Sequence, residues 1–172
     1  KGDAHRGELI YRRAELQCVQ CHRIGGVGGL VGPDLTSIGA QAPADYLVEA
    51  LILPAAKVKE GYNAKLIRTV DDEIITGIPV AETDTEVTLR GADGKVVKVN
   101  KADIDESKDS RSLMPDGLLD TLSEQEAVDL LRFMIEMGRI DGPMLVKDDG
   151  SVRNWKKLKF SQAAHTVFNR NS

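Results

Sequence analysis

The sequence predicts a mainly α domain carrying an inserted small antiparallel β module, α+β overall. Three observations predict it. Apolar residues recur at helical spacing near both ends of the chain, and between them the pattern changes to strand-like runs separated by turn dipeptides. The only two cysteines fall within one five-residue window, Cys18-Val19-Gln20-Cys21-His22.

At the front, Gly7, Ile10, Tyr11, Ala14 and Cys18 follow an i, i+3, i+4, i+7, i+11 spacing, so residues 7–17 read as one helix. Further on, Ser123 and Glu126 form a capping-box pair that opens a second helix, with Ala127, Leu130, Leu131, Met134 and Gly138 on one face. Small residues on the two contact faces (Gly7, Ala14, Ala127) let such helices cross closely. Between them, residues 62–70, 73–80, 86–90 and 95–100 are β-rich, with turns at Asp71-Asp72, Thr83-Asp84 and Ala92-Asp93-Gly94. Four short antiparallel strands suggest a meander or a small SH3-like barrel, and a module of that size needs a neighbour to pack against.

The 172 residues, 41% apolar and 29% charged, suit a folded globular protein. The net charge of −4, with both signs interspersed, lacks the concentrated basic patch of a nucleic-acid binder. No apolar run reaches bilayer length, because Glu49 and Pro54 interrupt the longest, so no transmembrane segment is expected. The opening Lys1-Gly2-Asp3-Ala4-His5 has no signal-peptide core, so a mature form or an excised piece is expected.

The cysteine window carries the chemistry. Two thiols separated by two residues lie on one side of a helical turn, where each can form a thioether to a vinyl group on the edge of a porphyrin. His22 follows immediately and can turn its imidazole to the iron, so C-x-x-C-H reads as the attachment site of one c-type haem. Two alternatives remain open on the residues alone. A thioredoxin-like redox pair would need a preceding strand, and a structural zinc site would need two further ligands, for which only His5 and His165 are at hand.

A second axial ligand decides between electron transfer and ligand chemistry. The candidates are Met114, Met134, Met137, Met144, His5, His165 and lysines. Met134 and Met137 lie on or near the inner face of the second helix, where core packing accounts for them. Met114 is different, since Pro115 holds it out of the α region and presents its thioether sideways from a turn-rich stretch. A soft neutral thioether favours ferrous iron.

Taken together, Gly7-x-x-x-Tyr11, the CxxCH site, Gly32-Pro33-Asp34-Leu35 and Met114-Pro115 before a final helix resemble a class I cytochrome c fold. The match is nearer to one subgroup, the haem-binding CxxCH domain of planctomycete and verrucomicrobial proteins. Cys21 through Gly39, a Tyr46-Leu47 helix ending at Leu53-Pro54, Gly61-Tyr62 and Ser112-Leu113-Met114-Pro115 recur together in that subgroup. The resemblance covers residues 7–138. It implies that Pro33 accepts the Nδ1–H of His22, and proline suits the role by fixing φ while leaving a free carbonyl. It also implies that such a module can accompany a dehydrogenase-like domain in a longer chain.

The expected organisation is therefore a haem domain from residues 1–57 and 106–138, a β insertion over 58–105, and a C-terminal extension over 139–172 that holds Trp155, Phe160 and Phe168 among lysines. The β insertion reads as a lid over the haem, or as a docking surface. Residues 25–32 are glycine-rich but lack the Gly-Lys-Ser/Thr ending of a phosphate loop, so close passage of the backbone past the haem edge is their expected use. The function expected is a monohaem electron carrier, not an enzyme, with Cys18, Cys21, His22, Pro33 and Met114 around haem c and iron ligated by His22 and Met114. Its partner would be a redox protein or a fused dehydrogenase-like domain. A haem enzyme or gas sensor with a displaceable distal ligand is the alternative. Covalent haem attachment places the protein in the periplasm or otherwise outside the cytoplasm.

Overall fold

The computed structural model describes residues 1–139. Helix α1, Ala4–Tyr11, starts where the Asp3 carboxylate accepts the backbone N–H groups of His5 and Arg6 at 2.9 and 3.1 Å. The single helix predicted over residues 7–17 does not form. It ends at Arg12, Arg13 is extended (φ −63°, ψ 132°), and Ala14–Leu16 make a 3-10 turn. Tertiary contacts outweigh the period here. The extended Arg13 reaches Glu126 in an ion pair, and Leu16 turns inward at 3% exposure while Ala14 stays exposed.

Gln17, at φ 54°, redirects the chain into the one-turn helix α2, Cys18–Cys21. A short hairpin follows, β1 (Arg23–Ile24) against β2 (Val27–Gly28), closed by Gly25 and Gly26 at φ 58° and 85°. Helix α3 is Ile38–Gln41, and α4, Ala44–Ile52, stops two residues before Pro54. Helix α5, Glu124–Glu136, carries the full Ser123–Glu126 capping box. It buries Asp129, Leu130, Phe133 and Met134 against α1, and at the crossing a Cβ added to Gly7 would meet the Asp129 carbonyl oxygen at 2.0 Å. The residue at the centre of this interface is Phe133, at 1% exposure and 5.6 Å from the Tyr11 ring.

The mainly α cytochrome c fold expected from the sequence is corrected by the sheet. Strands β3 (Lys65–Thr69), β4 (Ile74–Glu82), β5 (Glu86–Arg90), β6 (Val96–Asn100) and β7 (Ile104–Asp109) form a five-stranded antiparallel sheet in the order β6-β5-β4-β3-β7. Alongside it stand five α-helices, two of them only four residues long, so the described residues form an α+β structure and not a mainly α one. The sheet has its own core of Ile67, Val87, Leu89 and Val99, with Ile75 and Ile104 packed against it. A register shift between Pro79 and Ala81 bends β4, so that its first half pairs with β3 and its second with β5.

Four strands were expected and five are present. Strand β7, Ile-Asp-Glu-Ser-Lys-Asp, offers one apolar residue and no alternation to read, because it is an edge held to β3 by backbone hydrogen bonds. Its ion pairs with Arg68, from Asp105 at 2.7 Å and Glu106 at 3.5 Å, put charge along that edge. Ala64, fully buried, ties the sheet's entry and exit together through Ser110 N–H to its carbonyl at 2.7 Å.

Candidate functional site

The α2 turn sets the spacing of the site. His22 N–H donates to the Cys18 carbonyl at 2.8 Å and closes the turn, after which His22 becomes extended (φ −108°, ψ 139°) and leaves the helix. Cys18 and Cys21 are both half-buried, unpaired thiols on that turn. Burial pushes the Cys18 thiol up to about 11 and raises that of Cys21 as well. A dithiol redox centre depends on a depressed thiol pKa, and here burial acts in the opposite sense.

The His22 ring nitrogen Nδ1 lies 2.8 Å from the Pro33 carbonyl oxygen. A carbonyl only accepts, so Nδ1 carries the proton and Nε2 keeps a free lone pair. Burial lowers the imidazole pKa, with the Pro33 carbonyl opposing it, and a neutral ring is the state that can ligate a metal. The Tyr11 hydroxyl donates to the His22 carbonyl at 3.3 Å, and burial raises the Tyr11 pKa far above its ordinary value.

The glycine-rich segment packs directly on this turn. Gly29 N–H donates to the Val19 carbonyl at 2.9 Å, and Gly32 N–H to that of Cys21 at 2.7 Å. A Cβ at Gly29 would stand 1.7 Å from the Gln20 oxygen, and one at Gly32 would stand 2.4 Å from His22 Cε1. Only glycine lets the backbone come this near. The surface that this glycine-rich backbone passes is the CxxCH turn with the imidazole itself.

A cavity of about 280 Å³ opens beside the turn, near the lower end of the range typical of ligand clefts. Cys18, Cys21, His22, Pro33 and Met114 all line it, so the structure brings the five predicted site residues to one place. Met114 is half-buried, with its backbone N–H on Ser112 Oγ at 3.0 Å. Met134 lines the same cavity from α5, while Met137 is buried in the helical core. Of the other distal candidates, His5 is exposed and Lys57 and Lys59 stand in the wall, Lys57 in an ion pair with Glu49. Met144, His165 and the aromatic residues of the tail lie outside the described residues. The sheet also reaches the cavity, through Ile78 of β4 and Ala92 of the β5–β6 turn, and no periodicity pointed to either.

These residues fit a covalently held haem: two free thiols, one imidazole with a directed lone pair, a thioether lining the same space, and a glycine where a Cβ would strike the ring. Among the described residues no group of three or more His, Cys, Asp or Glu side chains gathers as a metal site. No helix among them is long and apolar enough to cross a membrane. The chain matches no protein-family model and no curated protein.

Proposed function

We propose that this protein is a monohaem electron-transfer protein of the c type, with haem c attached through Cys18 and Cys21 and ligated by His22 and Met114. The observation that carries the reading is the convergence of both thiols, the oriented imidazole and the Met114 thioether on one mostly apolar cavity. The motif-level likeness to haem-binding CxxCH domains agrees with it.

Bound there, the haem supplies a one-electron Fe(III)/Fe(II) couple. Cys18 and Cys21 would hold it through two thioethers, each made by adding one S–H across one vinyl group with no net redox change. Pro33 fixes the His22 tautomer and raises the basicity of Nε2, which favours the ferric state. Met114 acts in the opposite direction, favouring the ferrous state. Leu47, Leu51 and Ile78, all buried in the wall, exclude water and limit the reorganisation that each transfer requires. A reduced partner protein or a fused dehydrogenase-like domain gives the electron and an oxidised partner accepts it. Haem attachment of this kind places the protein in the periplasm or otherwise outside the cytoplasm.

The test is spectroscopic. The oxidised haem-bearing protein is expected to show the weak red charge-transfer band of a methionine–iron bond, and Met114→Ala is expected to abolish it and lower the reduction potential. Rapid, tight CO binding by the wild-type protein would refute the electron-carrier reading and favour an open-site enzyme or sensor.

A further inference from the structure

The glycine-rich segment faces His22 on one side and the sheet on the other. On the His22 side, Gly32 leaves no room for a Cβ against the ring, and the Pro33 carbonyl holds Nδ1 at 2.8 Å. On the outer side, Arg90, the last residue of β5, donates from Nη1 to the Leu30 carbonyl at 3.0 Å, across 60 positions of sequence. The turn that follows Arg90 lies against the same region. Ala92 stands in the cavity wall, and a Cβ built on Gly94 would lie 3.9 Å from Val31 Cγ2. Val31 itself is 3% exposed.

With His22 taken as the axial ligand proposed above, we infer that Arg90 is a positioning residue: it clamps residues 30–33 against the imidazole and so couples the β sheet to the axial ligand. The strap has little stiffness of its own, because Gly29 and Gly32 stand within or beside it. Its place is fixed by what it is tied to. Gly29 and Gly32 tie it to the α2 turn, and Arg90 ties the exposed Leu30 between them to a rigid strand end. Without that tie the Leu30 carbonyl turns to water, the strap relaxes outward, and the Nδ1–H···O=C bond lengthens. His22 then becomes a weaker electron donor and the ferrous state gains. A sheet that only covered the cavity would need no such bond.

Two readouts on the full chain test this. In the haem-free protein, the ¹⁵N shifts of His22 give its tautomer ratio. Arg90→Ala is expected to lower the ratio of the Nδ1–H to the Nε2–H form about five-fold, the equivalent of one ordinary hydrogen bond of about 1 kcal/mol. Arg90→Lys, which can still donate once, is expected to restore most of it. Arg68→Ala, on β3 and paired with Asp105, is expected to leave the ratio unchanged. In the haem-attached protein the Arg90→Ala potential is expected to rise and the Arg90→Lys potential to return. An unchanged ratio in Arg90→Ala, or an equal change in Arg68→Ala, would overturn the clamp. A chain that binds no haem but shows the tautomer change would overturn the function proposed above and leave the clamp standing.

Discussion

Replacing Gly7 by alanine sets two effects of opposite sign against each other at the α1–α5 crossing. Helix propensity alone makes the change favourable by about 1 kcal/mol, since Gly7 lies within a regular helix. Packing opposes it. The new Cβ would stand 2.0 Å from the Asp129 carbonyl oxygen, 2.6 Å from its carbonyl carbon and 2.7 Å from Phe133 Cβ. Two of these are backbone atoms of α5 and cannot rotate away, so the helices must part by about 1.5 Å to reach ordinary contact. Parting them stretches Asp3 N–H to Asp129 Oδ1 (2.7 Å) and Arg6 Nε–H to Asp129 Oδ2 (2.8 Å), and opens the Tyr11–Phe133 contact. Overpacking of this kind costs about 3 kcal/mol, at the upper end of its usual range, so the net loss is about 2 kcal/mol. Urea unfolding followed by far-UV circular dichroism is expected to show a lower midpoint at unchanged slope, and the melting temperature is expected to fall by about 4–8 °C. A Gly7→Ala protein as stable as wild type or more so would refute the close crossing.

Gly32→Ala would place a Cβ 2.4 Å from His22 Cε1, so the ring must swing off the Pro33 carbonyl. The expected outcome is a smaller haem-attached fraction and a shifted reduction potential, read from absorption and a redox titration, with a stability loss of about 1–3 kcal/mol. The Ser123 backbone N–H, with Arg13 and the Ser123 hydroxyl, holds the Glu126 carboxyl down at about 2, below its ordinary 4.5. A depressed carboxylate stabilises the fold above its unfolded pKa, so this contribution is complete above pH 4.5 and is lost as the pH falls toward 2. Urea midpoints measured across that window are expected to fall less steeply in Glu126→Gln than in wild type. Leu89→Ala, at 1% exposure in the sheet core, is expected to cost about 2–5 kcal/mol, measurable as a lower urea midpoint.

The parts of the site that were legible in the sequence are those whose chemistry is local. Cys18, Cys21 and His22 declare themselves by spacing within one turn, and Ser123–Glu126 by a three-residue reciprocal bond. Proline just past a helix end is equally local, which is why α4 stops before Pro54. What escaped was set by contacts between distant segments. The break at Arg12 follows from an ion pair to Glu126, and Leu16 buries at a position the helical period gave to Ala14. Strand β7 has almost no apolar signal because its neighbour supplies hydrogen bonds and its outer face is wet. Missing it understated the sheet, while the helical spacing at both ends and the resemblance to a cytochrome c fold carried the mainly α expectation that the five-stranded sheet overturns. That Ile78 and Ala92 line the cavity and Arg90 reaches the Leu30 carbonyl depends on how the sheet seats against the glycine-rich segment, which no pattern within either segment encodes.

The central claim is that Cys18 and Cys21 hold one haem. The most direct test is intact-protein mass spectrometry, with a pyridine haemochrome spectrum, on the full chain exported together with a c-type haem attachment system. The expected result is the mass of the polypeptide plus one haem and a two-thioether haemochrome band. A Cys18→Ser, Cys21→Ser double variant is expected to carry no covalent haem. A wild-type chain recovered at its bare polypeptide mass under those conditions would contradict it.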